Sequence, residues 1–265
     1  MKPAAFRYER PDTLEETVAL LNEHGDEAKI LAGGQSLVPL LNMRMARPTV
    51  VIDINRVGNL DYMSRVDGSS RCGALVRQAA VAGASPLVDR CLPYIGHYVT
   101  RNRGTVAGSI AHADASAELP LALLVSGGSV VAASTRGRRE IAADDLFVTH
   151  FTTTLAPDEV VVETVWPASD EAAAFAELAQ RHGDYALCMA AATVRGGHLR
   201  VGVGSVVDRP TLVDVDPERP GASAALQVDP IDGLHASAEY LRQLVSVLVD
   251  RVVTAAQAAA AEHGP

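Results

Sequence analysis

Cysteine is scarce in this chain, and the cysteines present form no metal-binding pattern. Cys72, Cys91 and Cys188 lie far apart in a sequence of 265 residues and make no C-x-x-C pair. This spacing argues against a disulfide framework, and against a zinc site or an iron–sulfur cluster held by this chain alone. The eight histidines include no H-E-x-x-H motif. We therefore expect buried free thiols and no metal ligands in this chain.

Excess positive charge and long apolar runs are also missing. The net charge of −9 makes nucleic acid and anionic membranes poor partners. No apolar run approaches the length of a membrane span, and Leu119–Val125 is among the longest. The first residues, Met1–Phe6, lack the apolar core of a signal peptide. With 48% apolar and 21% charged residues, the composition predicts a globular, cytoplasmic protein of two domains or one large one.

The sequence lacks the G-x-G-x-x-G and P-loop motifs, yet it contains a glycine turn of similar chemistry. An apolar run, Ile30–Ala32, ends at Gly33-Gly34, and Ser36 then precedes an apolar segment with helical spacing. Adjacent glycines allow positive φ and leave no Cβ between the backbone and a ligand, and Ser36 is a favourable N-cap. Free N–H groups at a helix start bind phosphate. The turn predicts a phosphate or pyrophosphate socket, with an ordinary strand-to-helix turn as the alternative.

A second loop, at residues 100–120, is similar in composition to the first glycine turn, since it is rich in small residues and hydroxyl groups. Gly104 and Gly108 let backbone N–H groups approach an anion, and Thr105 and Ser109 can donate to phosphate oxygens. Two such loops in one chain suggest a diphosphate held from both sides. The polar residues that flank the loop either form a solvated surface or bind the sugar or ring of a nucleotide: Arg101, Arg103, His112, Asp114 and Glu118. An acid–base role for His112 and Asp114 lacks a nearby nucleophile pattern.

The hydrophobic pattern places both loops in a mixed α+β chain. Residues 1–55 predict a β-α-β unit, with a helix opened by a Thr13 capping box, strands at 28–32 and 50–54, and a short helix at 36–45. Asp53, on the last of these strands, is expected to be structural. We predict helices at 75–82 and 85–99 and strands at 130–134 and 160–165. Beyond a boundary near residue 168, three antiparallel strands (175–179, 186–194 and 199–207) precede a mostly irregular stretch and a helix at 237–261.

Three segments together resemble a known family. They are Leu31-Ala32-Gly33-Gly34-Gln35-Ser36-Leu37-Val38-Pro39-Leu40-Leu41-Asn42-Met43-Arg44, Arg101-Asn102-Arg103-Gly104-Thr105-Val106-Ala107-Gly108-Ser109-Ile110-Ala111-His112-Ala113-Asp114 with the small residues at 115–120, and Arg181-His182-Gly183-Asp184-Tyr185-Ala186. They are similar, in this order, to the motifs of the FAD-binding medium subunit of molybdenum hydroxylases, the carbon monoxide dehydrogenase and xanthine dehydrogenase family. The first two motifs are specific together, whereas the third alone is weak.

The resemblance implies an α+β, PCMH/vanillyl-alcohol-oxidase-type FAD-binding fold rather than a Rossmann domain. Its lobes are expected at residues 1–55 and 56–167, followed at 168–265 by a C-terminal domain with a three-stranded antiparallel sheet and helices. Ala107 departs from the family pattern, because glycine is common there, and its methyl group is expected to crowd a phosphate. The implied cofactor-binding residues are Ile30, Leu31, Ala32, Gly33, Gly34, Gln35, Ser36, Leu37, Arg101, Gly104, Thr105, Val106, Ala107, Gly108, Ser109, Asp114, Glu118, Val161, Val162, Asp184 and Tyr185.

Within this set, the resemblance assigns roles as well as positions. Residues 30–37 and 105–109 are expected to hold the pyrophosphate, and Glu118 to face the adenosine half. Val161 or Val162 is expected against the flavin, with Tyr185 near the isoalloxazine ring. None of these side chains is expected to act as acid, base or nucleophile.

The resemblance also implies a place in an assembly. A large subunit would carry the molybdenum cofactor and a small subunit two [2Fe–2S] clusters, with the whole arranged as a dimer of heterotrimers. This chain would take electrons from the clusters and pass them through FAD to NAD or another acceptor. The alternatives are a self-contained FAD-dependent oxidoreductase, with His112 or Tyr185 as proton donor, and an assembly subunit that has lost flavin.

Overall fold

The first segment of the chain forms a small parallel sheet. The computed structural model describes residues 2–167 and 172–263. The elements of its first segment are β1 (Arg7–Glu9), α1 (Leu14–His24), β2 (Ala28–Leu31), α2 (Leu37–Asn42) and β3 (Val50–Asp53). The strand order is β1-β3-β2, all parallel, and β1 was not predicted. The predicted Thr13 capping box is confirmed, since Thr13 Oγ1 accepts from Glu16 N at 3.1 Å and Glu16 accepts in return from the Thr13 backbone.

The second segment is built around a five-stranded antiparallel sheet. Its elements are β4 (Met63–Val66), β5 (Ser69–Gly73), α3 (Pro86–Cys91), α4 (Tyr98–Arg101), α5 (Val106–His112), α6 (Glu118–Ser126), β6 (Ser129–Ser134), β7 (Gly137–Ala142), α7 (Ala143–Leu146), β8 (Phe147–Thr149), β9 (Thr152–Thr153) and β10 (Val160–Trp166). The strand order of the sheet is β4-β5-β10-β6-β7, and β8 and β9 form a separate small hairpin. Both predicted strands belong to the large sheet, as β6 and β10.

Three predictions in this segment are wrong. The predicted helix at 75–82 is only a 3-10 turn at Gln78–Ala80. The predicted helix at 85–99 is split into α3 and α4, because Pro93 cannot continue a helix. The loop at 100–120 contains α5, whose Val106 and Ile110 are fully buried, so this polar stretch does supply a core element.

The third segment contains a four-stranded antiparallel sheet covered by a long helix. The prediction of a three-stranded sheet is wrong by one strand, because a fourth strand, Thr211–Leu212, forms a two-residue edge within a stretch predicted as irregular. The predicted boundary at residue 168 lies outside the described residues. The elements are β11 (Ala172–Ala179), β12 (Ala186–Arg195), β13 (His198–Gly204), β14 (Thr211–Leu212), α8 (Pro220–Ala225) and α9 (Ala238–His263).

Both faces of the third sheet are buried. Along β12, Cys188 and Ala190 face a core shared with α9, while Met189 and Ala191 face the large core under the first two sheets. This alternation follows the two-residue period of a strand. The helix α9 is long and apolar enough to be a candidate membrane span. However, Leu248 and its neighbours on the predicted apolar face pack on the sheet, as in the core helix of a globular protein.

Candidate functional site

The two glycine turns predicted from the sequence lie directly against each other. A Cβ on Gly33 would lie 2.8 Å from the Cα of Gly104, and closer still to the carbonyl oxygen of Arg103. Gly34 has φ +74°, which a side chain would strain. The absence of a side chain at Gly33 therefore makes room for the other turn, whereas the sequence suggested that it made room for a ligand.

The second turn opens α5 through a hydroxyl cap. Thr105 Oγ1 accepts from Gly108 N at 3.1 Å, and a Cβ on Gly108 would lie 2.6 Å from that oxygen. The Thr105 oxygen is thus engaged in the helix cap, and its hydroxyl hydrogen is left for donation. On the first turn, Ser36 has helical φ and ψ and its side chain makes no capping bond. The predicted Ser36 cap is wrong.

Both turns open onto one cavity of about 710 Å³, which is lined by residues of all three segments. This volume is within the range of small-molecule and cofactor sites. The cavity brings together these predicted site residues: Ile30, Ala32, Gly33, Gly34, Gln35, Ser36, Leu37, Gly104, Thr105, Gly108, Ser109, Asp114, Glu118, Asp184 and Tyr185.

The motif from the third sheet reaches the cavity through a tight loop. Gly183 has φ +85°, and a Cβ there would lie 2.9 Å from the ring of His97, which also lines the cavity. This contact places Asp184 and Tyr185, from a distant part of the sequence, beside the two glycine turns.

The remaining predicted residues do not line this cavity. Leu31 is half-buried on β2, and Val106 is buried on the core side of α5. Arg101 donates to the carbonyl oxygens of Ile95 and Gly96, at 2.7 and 3.0 Å, so it shapes a cavity-lining loop from outside. Ala107 is only 3% exposed and belongs to the core, which means that its methyl group points away from the cavity. The expected crowding by Ala107 is therefore wrong.

Val161 and Val162 also belong to the core. Both are buried on β10, and the carbonyl of Val162 accepts from Ala74 N at 2.9 Å. Neither residue lines the cavity, and a β-bulge between Val161 and Glu163 interrupts the pairing of β10 with β6 at this point. The predicted contact between one of these valines and a flavin ring stays a prediction.

One carboxyl group that lines the cavity, that of Glu118, is buried. Glu118, the first residue of α6, is 8% exposed, and burial raises its pKa to about 8, with Glu177 and Asp114 adding to the rise. Burial likewise raises the pKa of Glu177 to about 7. Asp114 accepts from Ser116 N at 2.9 Å and so orders the turn before α6. At neutral pH, Glu118 is a carboxylic acid that can donate as well as accept a hydrogen bond.

Sequence reasoning missed two residues that define the cavity walls. Phe151 stacks on His112 with ring centroids 4.7 Å apart, which makes an aromatic wall. Gln78 is 6% exposed, and its Oε1 has no hydrogen-bond partner among the residues that the structure describes. An unpaired buried acceptor in a cavity wall is suited to a ligand donor. No sequence motif marks Phe151 or Gln78, since each reaches the cavity only through the fold.

Comparisons with known proteins show what the chain is similar to. Residues 4–169 match the family model described as the FAD binding domain in molybdopterin dehydrogenase. The chain is 38% identical to the 6-hydroxypseudooxynicotine dehydrogenase complex subunit alpha of Paenarthrobacter nicotinovorans, over 97% of this chain and 96% of the relative. It is 39% identical to the nicotine 6-hydroxylase medium subunit of the same organism, over 97% and 99%.

A solved structure is similar over nearly the whole chain. The structure of a carbon monoxide dehydrogenase from Hydrogenophaga pseudoflava, which lacks the Mo-pyranopterin moiety of the molybdenum cofactor, superposes with a TM-score of 0.90 at 29% identity. The match covers 98% of this chain and 99% of the other. Among the described residues, no group of three or more histidine, cysteine or acidic side chains is placed to hold a metal ion.

Proposed function

This chain belongs to the family of FAD-binding medium subunits of molybdenum hydroxylases, and we propose that it is the electron-transfer subunit of such a complex. It takes electrons from [2Fe–2S] clusters on a small partner subunit and passes them through FAD to NAD or another acceptor. A large partner subunit, with the molybdenum cofactor, hydroxylates the substrate. The meeting of two glycine turns in one cavity is the observation that carries this proposal.

The residues present fit FAD. When bound, FAD supplies a centre that accepts electrons singly or in pairs. The first turn offers the pyrophosphate backbone N–H groups, and the two turns together offer the hydroxyls of Ser36, Thr105 and Ser109. Glu118, protonated at neutral pH, is placed to exchange hydrogen bonds with ribose hydroxyls. Tyr185, which lines the cavity from the loop between β11 and β12, would lie near the isoalloxazine ring, as the resemblance implies. Each of these residues binds or orients the cofactor, and none needs to move a proton.

We also propose the wider organisation expected from the resemblance. The two FAD-binding lobes comprise residues 1–55 and 56–167, and the C-terminal domain comprises residues 168–265. Partner subunits assemble with the chain as a dimer of heterotrimers in the cytoplasm. The names of the relatives support multi-subunit assembly, since one is the alpha subunit of a dehydrogenase complex and another a medium subunit.

Purification of the native complex tests this function. We expect the visible spectrum of a flavin, co-purification of an iron–sulfur chain and a molybdenum chain, and bleaching of the flavin when substrate reduces the complex. A chain that purifies without flavin and does not take it up would favour the assembly subunit. Substrate oxidation at an enzymatic rate by this chain alone would instead favour the self-contained oxidoreductase.

A further inference from the structure

A continuous path of hydrogen bonds joins the two glycine turns on the side away from the cavity. Asn55, just beyond β3, donates through Nδ2 to the carbonyl of Ala32 at 2.7 Å. Arg77 donates through Nη2 to Asn55 Oδ1 at 2.8 Å and through Nη1 to the carbonyl of Arg103 at 2.7 Å. The path, here called the Asn55–Arg77 bridge, thus begins at the residue before Gly33 and ends at the residue before Gly104.

The bridge is anchored in the first sheet. Asp53 Oδ1 accepts from Asn55 N at 2.9 Å and from Asn55 Nδ2 at 2.6 Å, and Tyr8 donates to the other carboxylate oxygen. Burial raises the pKa of Asp53, but the hydrogen bonds from Tyr8 and Asn55 outweigh burial and hold the pKa below its ordinary value. Asp53 therefore stays ionised and fixes the orientation of the Asn55 amide.

The two turns differ in how they are held. The second turn is tied to the segment around Gln78 by backbone bonds, from Gln78 N to the Gly104 carbonyl at 2.9 Å and from Val106 N to the Val76 carbonyl at 3.0 Å. The first turn reaches that segment through the side chains of Asn55 and Arg77. Neither side chain lines the main cavity. Both line a second cavity of about 560 Å³, so they act on the turns from behind.

We propose that Asn55 and Arg77 are positioning residues, which set the spacing of the two glycine turns and thereby the affinity of the cavity for the diphosphate of its cofactor. This inference rests on the proposed function. Gly33 and Gly104 are packed against each other without a gap. A change in the spacing of the two turns therefore moves the donor groups of one turn relative to those of the other. Groups that donate to a single diphosphate must keep their spacing within a fraction of an ångström.

A double-mutant cycle on the full-length chain, stripped of flavin and titrated with FAD, tests the bridge. We expect Asn55→Ala and Arg77→Met each to weaken binding about tenfold, which corresponds to one or two hydrogen bonds. Because either change breaks the whole path, the double variant should also lose about tenfold, whereas independent effects would multiply to about a hundredfold. Wild-type affinity in either single variant, or a multiplied loss in the double variant, would overturn the proposal.

Two further variants separate position from charge and from general damage. Arg77→Lys keeps the positive charge but cannot donate along both arms of the fork, so we expect it to bind FAD as weakly as Arg77→Met. Wild-type affinity in Arg77→Lys would show that charge alone matters and would overturn the bridge. Arg200→Met is the matched control, because Arg200 donates to the Leu124 carbonyl at 3.0 Å and pairs with Asp144, both remote from the turns. We expect its affinity to be unchanged.

Hydrogen exchange provides a readout that needs no flavin. In the apo chain, Arg77→Met should speed the exchange of backbone amides in both turns, at residues 33–36 and 104–109, and leave those of α9 unchanged. Unchanged exchange in the turns would overturn the bridge. If the wild-type chain failed to bind FAD while Arg77→Met still exchanged faster in both turns, the proposed function would be refuted. The role of the bridge in spacing the turns would then still be supported.

Discussion

The close contact between the two turns makes Gly33→Ala the most informative single substitution. The new Cβ would lie 2.8 Å from the Cα of Gly104 and still nearer the Arg103 carbonyl, whereas an ordinary contact is about 3.5–4.0 Å. Both neighbours are backbone atoms, so no side-chain rotation relieves the clash, and the turns must separate by roughly 1 Å. Overpacking of this kind costs about 1–3 kcal/mol.

The cost should appear in cofactor binding as well as in stability. If the separation of the turns takes the same 1–3 kcal/mol from the binding energy, the Kd for FAD rises about 5- to 150-fold. Denaturant unfolding of the apo chain measures the first effect, and fluorescence titration with FAD measures the second.

Two glycines serve as matched controls. A Cβ on Gly221 would also meet backbone and side-chain atoms, with Asp250 Cγ at 2.7 Å, but this clash lies between α8 and α9. Gly221→Ala should therefore lower stability and leave the Kd for FAD unchanged in the folded chain. Gly58 has nothing within 4 Å of the added atom and no positive φ, so Gly58→Ala should change neither quantity. Wild-type stability and affinity in Gly33→Ala would refute the packing of the turns.

Four further substitutions test the cavity and its surroundings. Ala107→Gly should bring no gain in FAD affinity, since the methyl group faces the core, and should lower the free energy of unfolding by about 1 kcal/mol in denaturant titrations; tighter FAD binding would contradict this. Between pH 4.5 and about 8 the folded chain keeps a proton on Glu118 that the unfolded chain has lost, so the free energy of unfolding falls as pH rises. Glu118→Gln should reduce this pH dependence in unfolding curves measured from pH 5 to 8.5. Glu177→Gln should remove only the part of the fall in stability that ends near pH 7. An unchanged pH dependence of stability in Glu118→Gln would exclude a buried, protonated Glu118. Because burial lowers the pKa of His112, Phe151→Ala should raise that pKa toward its ordinary value in an NMR titration of the imidazole, whereas a further drop would contradict the stacking.

Local chemistry made part of the fold predictable. The capping box at Thr13 and the apolar period of α9 each act over a few residues, so the sequence pattern was sufficient to place both helices. In contrast, α5 was missed because most of its residues are small or polar. Its two core residues, Val106 and Ile110, are recognised only from their burial in the folded chain. The edge strand β14 was missed because a strand of two residues is too short to show an alternating pattern of apolar and polar residues.

The same division holds for the candidate site. The glycine and hydroxyl residues at 33–36 and 104–109 predicted two anion-binding turns, and the order of the motifs matched a family. The sequence did not indicate which glycine serves the ligand and which serves packing, because that depends on the atoms opposite. The resemblance also assigned Val161 or Val162 to the flavin site, although both are buried on β10 and neither lines the cavity.

The sequence alone determined the Thr13 capping box and the apolar period of α9, because each depends on residues close together along the chain. Only the tertiary structure decided that the two turns touch, that Phe151 and Gln78 complete the cavity, and that Asn55 and Arg77 connect the turns from behind. Those contacts join residues tens of positions apart, and their distances follow from the packing of three sheets rather than from any single segment.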